Sequence, residues 1–335
     1  MNKRNDIVSA ISFIAMACVV ISHTRCNSRL EECVIPFIGY WSVPWFFCVS
    51  GYYFVRSFAK RGIRDVLIQK YKTLMIPYLL WCAFGLCVML AVEGINNVSC
   101  VDGFGFGNSF QPAYNRPLWF VRTLLFYFVF ASVGLSIDKL FCKKYRWSKM
   151  ILPLFLAICM FICSGVCEIY VTSLGPKTNQ VFFILGCTVS VLTQNAFRWS
   201  APKRLIITLA LVLYIGLRCV WLYVGGSILS NNTLSQSVIL MIGNGVIIVV
   251  LIAFFTRIGS WHQSFQGDVF VYFYHAPILW FIMPRLQYWV GDSATSLNIL
   301  WIFSSLSFLI LSICFARLFA FFLPRPYSVL VGGRN

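Results

Sequence analysis

The sequence is poor in charge, in acidic residues and in histidine. Only 11% of its 335 residues are charged, with 10 Asp and Glu against 27 Lys and Arg, and it has three histidines. A soluble domain of this length needs far more polar surface than this composition provides. With 59% hydrophobic and 17% aromatic residues, the composition predicts an all-α integral membrane protein.

Several motifs that would define common enzyme classes are also missing. There is no GxxxxGK[ST] loop, no GxSxG elbow and no HExxH helix, which argues against an ATPase, a serine hydrolase and a zincin. The 14 cysteines form no CxxC pair and no Cys/His cluster with metal spacing, so no metal site is predicted. Cys26, Cys33 and Cys100 lie in segments predicted outside, and whether they form a disulfide stays open.

About ten apolar runs are predicted to cross a bilayer as helices, which takes roughly 20 residues with some scatter, and the sixth run is shorter than the others. No Pro-rich linker or shift in composition marks a second domain, so the prediction is a single membrane domain over residues 1–335. A Gly/Asn-rich connection at 93–116 is long enough to be a lid or a binding loop. The predicted spans are Ile7–Thr24, Pro36–Phe54, Thr73–Val92, Pro117–Ile137, Met150–Cys167, Gln180–Leu192, Leu205–Val224, Ser237–Phe255, Val269–Pro284 and Leu297–Phe322.

The basic residues lie in short runs between these spans. Threading the chain with its N-terminus inside puts 20 of the 27 Lys and Arg on the cytoplasmic side or in the inner half of a span, five outside and two in the outer half of spans. This is the distribution of the positive-inside rule, and it predicts about ten transmembrane helices with both termini cytoplasmic. It also accounts for the net charge of +17 without nucleic acid, which we reject as a partner.

The first span carries a polar stripe that ends in a histidine. Ser9, Ser12, Met16, Val19 and His23 recur at spacings of three and four, so they share one helix face. Such a face in lipid needs a protein interior or a water-filled cavity opposite it. A neutral imidazole near an outer-facing cavity could act as a general base toward a hydroxyl. The alternative is an interfacial histidine that caps the helix end.

Two arginines lie in the outer half of predicted spans, where a charge is expensive and indicates function. The threading places Arg122 and Arg218 in the outer half of the membrane, at a depth similar to His23. They could hold an anionic group or stabilise an oxyanion. Alternatively, their long side chains reach headgroups or interfacial water. His275, which follows Tyr272 in the ninth span, is either catalytic or a buried histidine bonded to a neighbouring helix.

Five motif-like stretches occur along the chain, followed by LVGGR at 330–334. They are FIAMACVVISHT with His23, VPWFFCVSGYYF with Ser50 and Gly51, KYKTLMIPYLLW with Lys70 and Lys72, RPLWFVRTLLFY with Trp119 and Arg122, and FVYFYHAPIL with Tyr272 and His275. Together, and in this order, these stretches resemble the acyltransferase 3 family of bacterial membrane O-acyltransferases, and LVGGR is similar to the end of many such proteins.

The resemblance implies transfer of an acyl group, most often acetyl, from cytoplasmic acetyl-CoA to a hydroxyl of a cell-surface or lipid-linked polysaccharide. It implies a protein of the bacterial inner membrane, in contact with lipid, with acetyl-CoA as donor substrate and no bound cofactor. His23 would deprotonate the acceptor, and Arg122 would position it or the developing oxyanion. Ser12, Lys70 and Lys72 would bind the donor. Substrate-binding or structural roles would fall to Ser50, Trp119, Arg218, Tyr272 and His275.

The sequence departs from the family pattern at two positions. Ser12 stands where the family usually has Arg or Lys, eleven residues before the histidine, and Thr73 replaces the second basic residue of the third helix. These departures leave open an inactive membrane partner of a glycan synthesis complex. A transporter or flippase of lipid-linked sugars is a further alternative, although no internal repeat and no mid-span acid supports it. Polysaccharide synthesis machinery and a second copy of the chain are the other partners considered.

Overall fold

The computed structural model describes residues 6–94, 99–104, 113–142, 177–192, 208–216, 219, 233–258 and 268–333. Within these ranges the regular structure is helical throughout and no strand occurs. Seven segments of this described part are long and apolar enough to cross a membrane. The prediction of an all-α membrane protein is confirmed at this level, while the count of ten spans and the orientation stay predictions.

The described helices are numbered in chain order. In order they are α1 (Asp6–His23), α2 (Arg29–Ile38), α3 (Ser42–Arg61), α4 (Ile63–Lys70), a π-helical turn (Tyr71–Met75), α5 (Ile76–Glu93), α6 (Cys100–Gly103), a 3₁₀ segment (Ala113–Leu118), α7 (Trp119–Cys142), α8 (Lys177–Leu192), α9 (Thr233–Ile258), α10 (Asp268–Val290), α11 (Ala294–Phe322) and α12 (Pro324–Leu330).

Three predicted spans have no full-length counterpart among the described residues. The fifth, Met150–Cys167, lies outside them, and the seventh is described only as a helix over 208–216. The sixth corresponds to α8, whose apolar part, Asn179–Ser190, is shorter than the seven spanning segments. The predicted loop at 93–116 contains α6 and the 3₁₀ segment, so its described residues are partly helical.

The second span differs from the prediction because the chain breaks its helix at Gly39. The predicted range of Pro36–Phe54 begins inside α2, which ends at Ile38, and α3 starts at Ser42. Gly39 N–H donates to Ile35 O at 2.8 Å, and Ser42 Oγ donates to Gly39 O at 2.6 Å. The backbone polar groups of Gly39 at the break are therefore hydrogen-bonded locally.

The third span begins earlier than predicted, because α4 and the π-helical turn lead into α5 without a break. Pro77 lies in the first turn of α5 and has no N–H to donate to Thr73 O. The hydrogen-bond spacing widens just before this proline, where Ile76 N–H bonds to Tyr71 O. The proline therefore accounts for the π-helical turn, which carries Lys72 and Thr73.

The chain divides into two compact units, and the prediction of one membrane domain stays a prediction. The first unit comprises Met1–Phe46, Asn195–Asp268 and Ile282–Leu311. In it, α1 packs against α2 and α9. Its core contains fully buried apolar side chains of α1, together with the indole of Trp45.

The second unit comprises Phe47–Gln194, Val269–Phe281 and Ser312–Asn335. Helix α5 is central in it, because it contacts the π-helical turn, α6, the 3₁₀ segment and α12. The ring of Trp81 in α5 stacks on Phe273 at 6.1 Å and meets Phe270 edge-on at 5.4 Å. Aromatic packing of this kind joins α5 to α10.

Candidate active site

The His23 side chain lies half-buried at the last residue of α1, and its ring is held by the preceding turn. Nδ1 lies 2.8 Å from Val19 O. Because a carbonyl oxygen only accepts hydrogen bonds, Nδ1 carries the hydrogen and donates it. Nε2 of the neutral ring then carries the lone pair, which is the arrangement that a general base requires.

Ser12 lies on the same helix and is fully buried, and Met16 and Val19 of the predicted stripe are buried with it. The stripe therefore faces protein, as its spacing predicted. Ser12 Oγ accepts a hydrogen bond of 3.1 Å from the indole Nε1 of Trp45. The family that the sequence resembles usually has Arg or Lys at this position. Here the position is a serine, which accepts the hydrogen bond of the buried Trp45 indole. A donor-binding role for Ser12 stays a prediction.

A buried carboxylate in the first turn of α2 binds the turn after His23, and the sequence pattern did not single it out. Glu31 is only 2% exposed, and its two oxygens bind Cys26 N–H at 2.9 Å and Arg25 Nη1 at 3.2 Å. Burial, together with this carboxylate, raises the pKa of the Cys26 thiol, so Cys26 is a poor nucleophile. The sequence did contain a signal, because Ser28 and Glu31 have the spacing of a capping box.

Arg122 lies half-buried in the first turn of α7, in the second unit. Its guanidinium lies in the neighbourhood of the Tyr78 hydroxyl and the Cys82 thiol of α5. The Tyr78 hydroxyl also donates to Phe104 O at 3.3 Å. Arg122 therefore faces polar groups of α5 within its own unit.

Tyr272 and His275 lie on α10 close to the start of α7. The Tyr272 hydroxyl donates to Pro117 O at 2.5 Å, and Trp119 begins α7 just beyond it. His275 is fully buried, and its Nδ1 donates to Tyr272 O at 2.6 Å. This bond fixes the tautomer of His275 from its own helix, whereas the Tyr272 hydroxyl links α10 to the 3₁₀ segment.

Asn115 is a second buried polar residue that the sequence pattern did not single out. Its backbone is non-helical, with φ −146° and ψ 65°, which breaks the 3₁₀ segment. Its side-chain Nδ2 lies 2.9 Å from Phe273 O and 3.4 Å from Trp81 O. One amide therefore links α5 to α10, and no apolar pattern in the sequence could have revealed it.

Lys70 and Lys72 flank the end of α4 in the second unit. Lys70 Nζ lies 4.7 Å from the centre of the Phe128 ring, a cation–π distance, whereas the Lys72 side chain is exposed on the π-helical turn. The C-terminal segment reaches this turn, because Gly332 lies against the backbone of Thr73. Both lysines therefore lie where α4 meets the π-helical turn.

The Ser50–Gly51 pair marks a close contact between α3 and α8. A Cβ on Gly51 would stand 2.4 Å from Phe183 O, and one on Gly186 would stand 2.0 Å from Cys48 O. Two glycines thus let the helix backbones approach closely, as small residues do in membranes. This packing explains why residue 51 is a glycine. A substrate-binding role for Ser50 stays a prediction.

The predicted site residues fall into two groups. Ser12 and His23 belong to the first unit, and the Arg218 side chain lies outside the described residues. Among described residues no cluster of three or more His, Cys, Asp or Glu could hold a metal, and Cys26, Cys33 and Cys100 are free thiols. The second unit contains the other seven predicted site residues, which are Ser50, Lys70, Lys72, Trp119, Arg122, Tyr272 and His275.

Comparison with known proteins supports the resemblance seen in the sequence. The profile of the acyltransferase 3 family, described as an acyltransferase domain, matches residues 9–319. A search of curated proteins and a search of solved structures each found no match. The matched range covers nearly the whole chain and contains every predicted site residue. The chain therefore belongs to the acyltransferase 3 family, and with its membrane-spanning helices it is a membrane acyltransferase.

Proposed function

We propose that this protein is an O-acyltransferase of the bacterial inner membrane that moves an acetyl group from cytoplasmic acetyl-CoA to a hydroxyl of a cell-surface or lipid-linked polysaccharide. The proposal includes ten spans with both termini cytoplasmic. The distribution of Lys and Arg between the spans supports that orientation. The family assignment supports acyl transfer.

The observation that carries the proposal is the hydrogen bond from His23 Nδ1 to Val19 O. It leaves Nε2 of the neutral ring as the proton acceptor. In the proposed step Nε2 takes the proton of the acceptor hydroxyl, and the oxygen bonds to the acetyl carbonyl carbon. The bond from that carbon to the CoA sulfur breaks, and the proton passes to the leaving thiolate. Acetyl ester and free CoA are the products.

Arg122 is proposed to stabilise the negative charge on the acetyl carbonyl oxygen during this step, or to position the acceptor. A half-buried guanidinium is suited to either role, because it stays charged and offers five fixed donors.

Lys70 and Lys72 are proposed to bind the phosphates of acetyl-CoA at the cytoplasmic mouth. An ammonium group binds phosphate through charge-assisted hydrogen bonds. The exposure of Lys72 on the π-helical turn supports this assignment, since a donor from the cytoplasm needs an accessible cation. Acetyl-CoA is a substrate in this scheme and no bound cofactor is required.

Inside-out vesicles supplied with acetyl-CoA labelled in the acetyl group test the enzyme against a carrier. Acyl transfer predicts label in the glycan fraction, with equal release of free CoA. Vesicles without the protein, and vesicles supplied with CoA labelled only in its nucleotide, are the controls. Movement of a lipid-linked sugar without label in glycan would contradict the proposal and favour a transporter or flippase.

A further inference from the structure

A buried carboxylate organises the turn that follows His23. Glu31 is 2% exposed, although Arg25, which pairs with it, is 66% exposed. Glu31 Oε2 accepts the backbone N–H of Cys26 at 2.9 Å, while Oε1 lies 3.2 Å from Arg25 Nη1. One side chain thus binds both a backbone donor and a guanidinium within the turn.

The same turn is attached to the start of α11. The backbone N–H of Leu30 donates to Asn298 Oδ1 at 3.1 Å, and Cys26 Sγ donates to Leu297 O at 3.4 Å. Ser28 Oγ caps α2 by accepting Glu31 N–H at 3.0 Å. All of these residues belong to the first unit, so the turn has fixed neighbours at both ends.

The turn is joined directly to the last residue of α1. Arg25 N–H donates to His23 O at 3.0 Å, and the His23 ring is bonded to Val19 O. A helix end frays unless its last carbonyls and the residues beyond it are tied down. The Val19 bond sets the ring tautomer, whereas the bonds of Glu31 set where the helix end lies.

We infer that Glu31 is a positioning residue, which acts through Arg25 and Cys26 to hold His23 in place for proton transfer. The inference rests on the proposed role of His23 as base. Glu31 does not touch the reacting atoms in this scheme. Its function is to keep the base within reach of the acceptor hydroxyl, where a displacement near 1 Å lowers the rate about 100-fold.

Kinetics of Glu31→Ala and Glu31→Gln in membrane vesicles test this inference. Glu32 is adjacent in sequence and exposed, so Glu32→Ala and Glu32→Gln are the matched controls. Glu31→Ala is expected to lower kcat about 10- to 100-fold, with the KM for acetyl-CoA unchanged. Glu31→Gln keeps an oxygen for Cys26 N–H and is expected to fall between wild type and Glu31→Ala.

Equal kcat values for the Glu31 and Glu32 variants would overturn the inference. Size-exclusion profiles in detergent show whether each variant is folded. If Glu31→Ala is not recovered folded, Glu31→Gln decides: a kcat below that of Glu32→Gln supports positioning, and an equal kcat contradicts it. A rise in KM for acetyl-CoA without a fall in kcat would also contradict it.

His23→Ala separates this inference from the proposed function. If His23→Ala retains full transfer, the proposed base is wrong whatever the Glu31 variants do. If His23→Ala is inactive while the Glu31 variants match the Glu32 variants, only the positioning role fails.

Discussion

The indole Nε1 of Trp45 donates a 3.1 Å hydrogen bond to Ser12 Oγ, and both side chains are fully buried. Ser12 stands at the position where the acyltransferase 3 family usually has a basic residue. An arginine at residue 12 would have to displace the indole. The departure from the family pattern at Ser12 is therefore part of how α1 packs in this chain.

Ser12→Ala is expected to destabilise the protein by about 1–3 kcal/mol, because it leaves the buried Trp45 N–H without its acceptor. Thermal unfolding in detergent measures the change. Ser9→Ala, on the same face but only half-buried, is the control and should have a small effect. In a Trp45→Phe background the cost of Ser12→Ala should shrink, and an unchanged cost would contradict the pairing.

Gly186→Ala is expected to destabilise the contact between α3 and α8 by about 1–3 kcal/mol, because its Cβ would overlap Cys48 O. Gly245→Ala is the matched control. Gly245 is also helical and has open space where a Cβ would stand, so alanine there should be neutral or stabilising by about 0.5–1 kcal/mol. Equal unfolding temperatures for the two variants would refute the close packing of α3 and α8.

Gly332→Ala is expected to detach the C-terminal turn from the π-helical turn. Its Cβ would stand 2.1 Å from Thr73 O, and its φ of +66° already disfavours a side chain. Gly333, with φ +69° and nothing within 4 Å of a Cβ, is the control. Gly333→Ala should cost only the backbone strain of about 1–2 kcal/mol. A larger loss of stability in Gly333→Ala than in Gly332→Ala would contradict this account.

Lys72→Ala is expected to raise the KM for acetyl-CoA about tenfold with little change in kcat, since loss of one charge-assisted contact costs about 1.5 kcal/mol. Lys70→Ala should act in the same direction. Steady-state kinetics with varied donor give both constants. Lys60, which is exposed near the end of α3, provides the control variant. An unchanged KM in both Lys70→Ala and Lys72→Ala would remove these lysines from the donor site.

Composition and apolar runs were sufficient to predict an all-α membrane protein. The predicted bounds of the last span, Leu297–Phe322, lie within three residues of those of α11, Ala294–Phe322. Long apolar helices are the strongest signal that a sequence carries. The break at Gly39 was not predicted, because apolar residues continue on both sides of it and hydropathy alone does not report a turn.

The candidate site was only partly predictable. His23 and Arg122 could be found because polar residues in apolar spans are unusual. Glu31 and Asn115 could not be found in that way, because each lies outside the predicted spans, where polar residues are ordinary. The importance of Asn115 comes from bonds to the backbone of α5 and α10, which only the fold brings together. The importance of Glu31 comes from its burial against a local turn, which hydropathy does not report.

Acetyl transfer by vesicles carrying His23→Ala measures whether His23 is the base. Labelled acetyl-CoA is supplied on the cytoplasmic side, and label in the glycan fraction is measured with Glu32→Gln as the control for expression and folding. The transfer rate of His23→Ala is expected to fall about 100-fold or more, because general base catalysis contributes that much. The Glu32→Gln control is expected to transfer at the wild-type rate. Wild-type transfer in His23→Ala would contradict the assignment of His23 as the base.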